Sequence, residues 1–196
     1  METASELVPT LWRTCRVLAN KRRLGLVAAM ADHPGQTVCA IAAACGIPEA
    51  ICSHGLRQIQ ARGLCRAVRS GRWVAYSLAA DPRVAQAQTL LCALTPAVKA
   101  CRSDYTALIA MLTAYTHPRR IALVAALRHA GPSADDALGI RCGISPPALY
   151  RHLKKLARRG VVRHADGLVS LLPQKHAFAR ALYEIASGHA DVNSPD

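Results

Sequence analysis

Apolar positions recur at helical spacing over Leu24, Val27, Ala28 and Ala31, and His33-Pro34-Gly35 closes that run. Thr37 stands where a cap would open a short helix over 38–45, and Gly46 ends it in the left-handed role glycine fills after a helix. Ile47-Pro48 begins a turn, the stretch 49–61 reads as the next helix, and Arg62-Gly63 stops it. Strand-like runs follow over 64–68 and 73–78, joined by Arg69-Ser70-Gly71-Arg72 as a hairpin turn.

The pattern then repeats. Asn20–Arg66 lies over His117–Arg163 without a gap, and fourteen of the forty-seven pairs are identical. Arg22-Arg23 sits over Arg119-Arg120, Cys45-Gly46-Ile47 over Cys142-Gly143-Ile144, and Arg62-Gly63 over Arg159-Gly160. The second copy therefore predicts helices over 119–129, 134–142 and 146–158, with Ser133 as a cap and Pro146-Pro147 tolerated in a first turn. Strands over 161–163 and 168–172 flank a tight turn at Ala165-Asp166-Gly167. Further helices are expected over 6–18, 84–94, 96–115 and 174–187, bracketing each copy. Helix, helix, glycine turn, helix, hairpin is the winged helix-turn-helix order. The expected fold is mainly α with small β-hairpin wings: tandem winged helix-turn-helix units, 1–95 and 96–196, forming a pseudo-dimer, with 188–196 a disordered tail.

Composition sharpens the functional side. Of 196 residues, 25 are Lys or Arg and 12 are Asp or Glu, a net charge of +13 that asks for an anionic partner, nucleic acid first. Aromatics are only 4%, so Ala, Leu, Val and Ile must build the core. Apolar runs are too short to span a bilayer, and the first residues lack a basic-then-apolar leader. Eight scattered Cys without a C-x-x-C then read as reduced thiols, and the expected location is cytoplasmic, with no membrane partner.

The segments His117-Pro118-Arg119-Arg120-Ile121 and Gly143-Ile144-Ser145 to Gly160-Val161-Val162 resemble those of the ArsR-type (arsenic-repressor-like) regulators. His117-Pro118-Arg119-Arg120-Ile121 is similar to that family's D-P-x-R-L segment. The run Gly143-Ile144-Ser145 through Tyr150-Arg151-His152-Leu153 to Gly160-Val161-Val162 resembles its recognition segment. In the first copy Gly46-Ile47, Ser53-His54-Gly55-Leu56, Gly63-Leu64 and the wing Gly71 to Leu78 match in the same way. The resemblance implies a transcriptional regulator, acting as a repressor on double-stranded DNA. Two joined copies imply an intramolecular pseudo-dimer, with further homodimerisation left open.

A recognition helix enters the major groove with its first turns at the base edges. In the second copy this places Ser145, Ala148, Leu149, Tyr150 and Arg151 at bases, Arg151 as the guanine reader, with His152, Lys154 and Lys155 alongside and the lysines toward phosphates. In the first copy Ser53, His54 and Arg57 hold the matching places, and wing residues Arg69 and Arg72 follow the backbone or minor groove. The plain alternative for such charges is a solvated helix face. Gly55 weakens the first recognition helix. Arg23 and Arg120 read as structural, in an ion pair at a helix start, and Trp73 and Tyr76 as packing between wing and core.

Of the family's C-x-C metal pair only Cys39 survives, so a metal site of that type is not expected, nor is any other cofactor. Cys45, Cys52, Cys65 and Cys142 read as small buried hydrophobes. Cys15, Cys92 and Cys101 fall on bracketing helices and could form a thiol cluster. Nucleotide-binding glycine loops and hydrolase serine motifs are missing, so an enzyme is not expected. Two alternatives stand beside DNA-binding regulation: a nucleoid or chromosome-associated protein-interaction module, and a thiol- or metal-responsive repressor.

Overall fold

The computed structural model describes residues 10–188. The helix expected from residue 6 appears as α1 (Leu11–Leu18); residues 6–9 and the tail from 189 onward lie outside the described residues. The first half continues as α2 (Lys21–Asp32), β1 (Gln36–Thr37), α3 (Val38–Cys45), α4 (Glu49–Gln60), β2 (Cys65–Ser70) and β3 (Trp73–Leu78). After α5 (Ala87–Ala100) and α6 (Thr106–Ala114), the second half runs α7 (Pro118–Ala130), β4 (Ser133–Ala134), α8 (Asp135–Cys142), α9 (Pro146–Arg158), β5 (Val162–Ala165), β6 (Leu168–Leu171) and α10 (Ala177–Ser187). The molecule is mainly helical with two small antiparallel sheets, ordered β1-β3-β2 and β4-β6-β5.

The local reasons for these elements repeat between the halves. Gly46 and Gly143 end α3 and α8 with φ of 62° and 58°, a left-handed backbone that a side chain would resist. The turn that follows swings α4 away from α3 by 107°, within the range of helix-turn-helix pairs. Thr37 caps α3 as expected, its hydroxyl accepting from the Ala40 N–H at 3.3 Å. Ser133 does not cap α8. It belongs to β4, paired with Val169, and its hydroxyl donates to the Gly131 carbonyl at 3.0 Å. The short strands β1 and β4 escaped sequence reading because two residues are too few to show alternation.

The break expected between residues 94 and 96 lies elsewhere. Pro96 sits inside α5, which also crosses the expected 95/96 boundary, and Thr95 donates to the Leu91 carbonyl at 2.8 Å one turn back. The chain turns instead after Cys101, where Arg102 and Ser103 take φ of 43° and 75°.

Buried side chains form one continuous core across both halves. α1 packs on α6, and α5 packs on α10 while also lying against α2; α10 lies against α7. The helices bracketing the halves therefore pair with each other, like with like. Arg23 and Arg120 seal this region, and among the described residues neither forms an ion pair. Arg120, 9% exposed, donates to the Ala114 carbonyl at 2.6 Å, the Thr113 carbonyl at 3.3 Å and the Thr116 hydroxyl at 2.7 Å. Arg23 donates to the Val17 carbonyl and to the Gln58 amide oxygen. Each guanidinium thus satisfies carbonyls left open at the C-terminal end of the preceding helix, α1 or α6, where a cation is also favoured by the helix dipole.

Candidate nucleic-acid interface

Helix α9 is strongly two-faced. Ala148, Leu149, Leu153 and Leu156 are buried, and Tyr150, Arg151, Lys154 and Arg158 are exposed. The expectation that Ala148 and Leu149 meet bases is therefore corrected. At 5% and 4% exposure they anchor the helix to α7 and α8, and the 3.6-residue period that exposes Tyr150 and Arg151 turns them inward. Ser145 is exposed at the start of α9, and its hydroxyl makes no capping bond. The Lys154 ammonium lies 5.6 Å from the centre of the Tyr150 ring, one turn apart, so the two side chains form a cation–π pair on the outer face.

His152 is also reassigned. Its ring faces that of His117 with centroids 4.5 Å apart. Burial, then the neighbouring His117, Arg120, Arg119 and Arg151, push its pKa down to about 4, so at neutral pH it offers no charge to a phosphate. Lys155 is half-buried, and burial followed by Arg159, Arg120 and Arg158 lowers its pKa. The outward cations of α9 reduce to Arg151, Lys154 and Arg158. Among the described residues the ion pairs are Arg83–Asp81 and Lys99–Asp32, and a His164 ring nitrogen lies 3.3 Å from the Asp135 carboxylate; none of these involves them.

The matching face of α4 is milder. Ser53 accepts from the Arg57 guanidinium at 3.0 Å, and His54 and the Gln58 amide lie 3.0 Å apart. Polar groups here bond along the helix, and Glu49 adds an acid at its start. The carboxylate of Glu49 raises the pKa of the exposed Cys39 thiol through a hydrogen bond. Gly55 is not simply a weak point. It is buried, and a Cβ there would come within 2.6 Å of Leu26 Cδ1, so the glycine lets α4 lie close to α2.

The wings differ in length. β2 and β3 are six residues each around Gly71-Arg72, whereas β5 and β6 are four residues each around Asp166-Gly167. Asp166 and Gly167 both take positive φ, 54° and 73°, as the tightest hairpin loops require. Arg69 and Arg72 are exposed at the longer tip. Tyr76 packs into the core as expected, but Trp73 is 54% exposed and does not. Sequence reasoning missed it although strand alternation carries the signal: Trp73 is an odd number of residues from Tyr76 and faces the other way.

Cys15, Cys92 and Cys101 are not gathered. Cys15 is fully buried beside Arg120, Cys92 is exposed and Cys101 half-buried. Among the described residues no three His, Cys, Asp or Glu side chains are placed to hold a metal. Cys52 and Cys65 are buried, and burial raises their pKa values to about 11 and 12; Cys45 and Cys142 are half-buried and raised likewise. Among the described residues no single helix is long and apolar enough to cross a membrane.

No protein-family model, curated protein or solved structure matches this chain.

Proposed function

We propose that this protein is a transcriptional regulator that binds duplex DNA through two winged helix-turn-helix units carried in one chain as a pseudo-dimer. One observation carries the reading. The order α-β-α-α-β-β occurs twice, and in the second copy the helix after the glycine turn presents Tyr150, Arg151, Lys154 and Arg158 outward, with no acidic partner among the described residues. Uncompensated cations on a helix that protrudes after a turn suit a groove between phosphate strands.

In this reading α9 enters the major groove. Arg151 reaches guanine N7 and O6, Lys154 and Arg158 meet phosphates, and Ser145 and Tyr150 flank the contact. The pairing of α1 with α6 and α5 with α10 supports a pseudo-dimer, because these helices occupy corresponding places around the two copies. Fluorescence anisotropy on labelled duplex is the test. Affinity should fall steeply with salt, by about 10³-fold or more between 50 and 200 mM if six or more phosphates are neutralised. The variant Arg151→Ala with Lys154→Ala should lose about 2–4 kcal/mol of binding. Wild-type affinity in that variant, or binding indifferent to salt, would refute the assignment.

A further inference from the structure

Between Arg62 and Leu78 the chain carries Arg62, Arg66, Arg69 and Arg72 and no acid. The β2–β3 register places Arg66 opposite Ser77 and Val68 opposite Ala75, with Trp73 next to the turn on the same side. The other side holds Cys65, Ala67 and Tyr76 against the core. Alternation therefore leaves an outer face with two large apolar side chains, Val68 and Trp73, each 54% exposed and diagonal to one another. The Arg72 guanidinium lies 4.9 Å from the Trp73 ring centre, and Arg69 Nε donates to the Gly71 carbonyl at 3.3 Å across the turn. An indole is thus held at the wing tip against Arg72, with Arg66 further along the same face and Arg69, opposite Val74, on the other. The shorter second wing has Asp166 at its tip and only Leu168, 42% exposed, beside it.

A water-exposed indole beside arginines is satisfied by duplex DNA, a polyanion with an apolar interior. We propose that the first wing seats in the minor groove of duplex DNA, with Trp73, backed by Val68, wedged at a base step, so that the first half bends the duplex. This rests on the DNA-binding reading above and adds a division of labour to it. The minor groove is about 6 Å wide, and two strands with their side chains are wider than that. Trp73 enters only where the groove opens. Apolar wedges of this kind kink DNA by about 20–90° toward the major groove, most cheaply at pyrimidine–purine steps. Arg66, Arg69 and Arg72 then meet the phosphates that the kink brings closer, which offsets part of the lost stacking.

The test uses the full chain and a short duplex with a central TA step, enriched from a randomised library and labelled at its ends with donor and acceptor dyes. Anisotropy reads affinity and energy transfer reads the end-to-end distance. Wild type should shorten that distance. Trp73→Ala should bind within about tenfold of wild type and leave the duplex at its free length, while Trp73→Phe keeps most of the bend. Both variants replace an exposed side chain, so their Tm values should stay near wild type. A wild-type complex with no bend, or an undiminished bend in Trp73→Ala combined with Val68→Ala, overturns the wedge and leaves DNA binding standing. Failure to bind any duplex overturns both. If Trp73→Ala halves the mass of the free protein by light scattering and the bend persists, the patch serves self-association and the proposal is wrong.

Discussion

The two halves share an element order and even element boundaries, yet they present different outer surfaces. After the aligned shift α3 and α8 coincide residue for residue, as do β1 and β4. What differs lies on the outside. The second half has Arg151 and Lys154 where the first has His54 and Arg57, and the first half has a wing two residues longer in each strand. Joined copies permit this. In a dimer of identical chains every substitution appears twice, whereas here each surface can change alone. Paired core positions such as Leu26 and Leu123, Ile41 and Leu138, or Leu56 and Leu153 are apolar in both halves, as one continuous cluster running through them requires.

The sharpest way to break the comparison is to strip each helix in turn. Against the loss of about 2–4 kcal/mol for the Arg151 and Lys154 pair, His54→Ala with Arg57→Ala should cost about 1 kcal/mol or less, measured on the same duplex. Equal losses would mean that both helices read DNA alike. A second contrast concerns the buried guanidiniums. Arg120→Met strands the Ala114 carbonyl and removes a donor from the Thr113 carbonyl and the Thr116 hydroxyl, and should cost about 2–3 kcal/mol in urea unfolding, whereas Arg23→Met, at a half-buried site, should cost about 1 kcal/mol. A third contrast sits where the helices touch. Gly55→Ala forces Leu26 to move and should cost about 1–3 kcal/mol despite alanine's better helix propensity. If instead it stabilises, the close approach of α4 to α2 is not real.

These sites also show how much the chain disclosed before folding. The helices around Gly46 and Gly143 were legible because glycine, proline and spacing act locally. Arg151 and Lys154 were legible for the same reason: a 3.6-residue period carries them outward together. Ala148 and Leu149 were misplaced because a motif gives which residues lie on a helix, while the face each occupies depends on what the helix packs against. A new helix was read as starting at Pro96, but α5 runs through it, because the surrounding packing outweighs the hydrogen bond that the proline cannot make. Arg120 looked like half of an ion pair. Its carbonyl partners lie at the end of α6, which a one-dimensional pattern does not bring near. Trp73 was read as core from its chemistry alone, although its position in the alternation said otherwise.

The smallest expected effect is on pH, and its sign follows from the histidine pair. The folded chain holds His152 at about 4 against an ordinary 6.5, and His117 is lowered too, in both cases by burial first and nearby cations second. As pH falls below 6.5 the unfolded chain takes up a proton at His152 that the folded chain refuses. The unfolded state then binds more protons, so stability rises with pH. The contribution is complete above about 6.5 and is lost as pH falls toward 4. The first half has no such pair, since Gly55 and Asn20 stand where His152 and His117 do, and the Asn20 side chain accepts from the Arg23 N–H. Urea midpoints taken between pH 7 and pH 5 should therefore fall for wild type and for His54→Gln alike. His152→Gln should flatten the slope by less than about 1 kcal/mol per pH unit, because solvent reaches part of the ring. A slope unchanged in His152→Gln would show that the acid sensitivity belongs to other groups, and that the two halves differ in their faces but not in their response to protons.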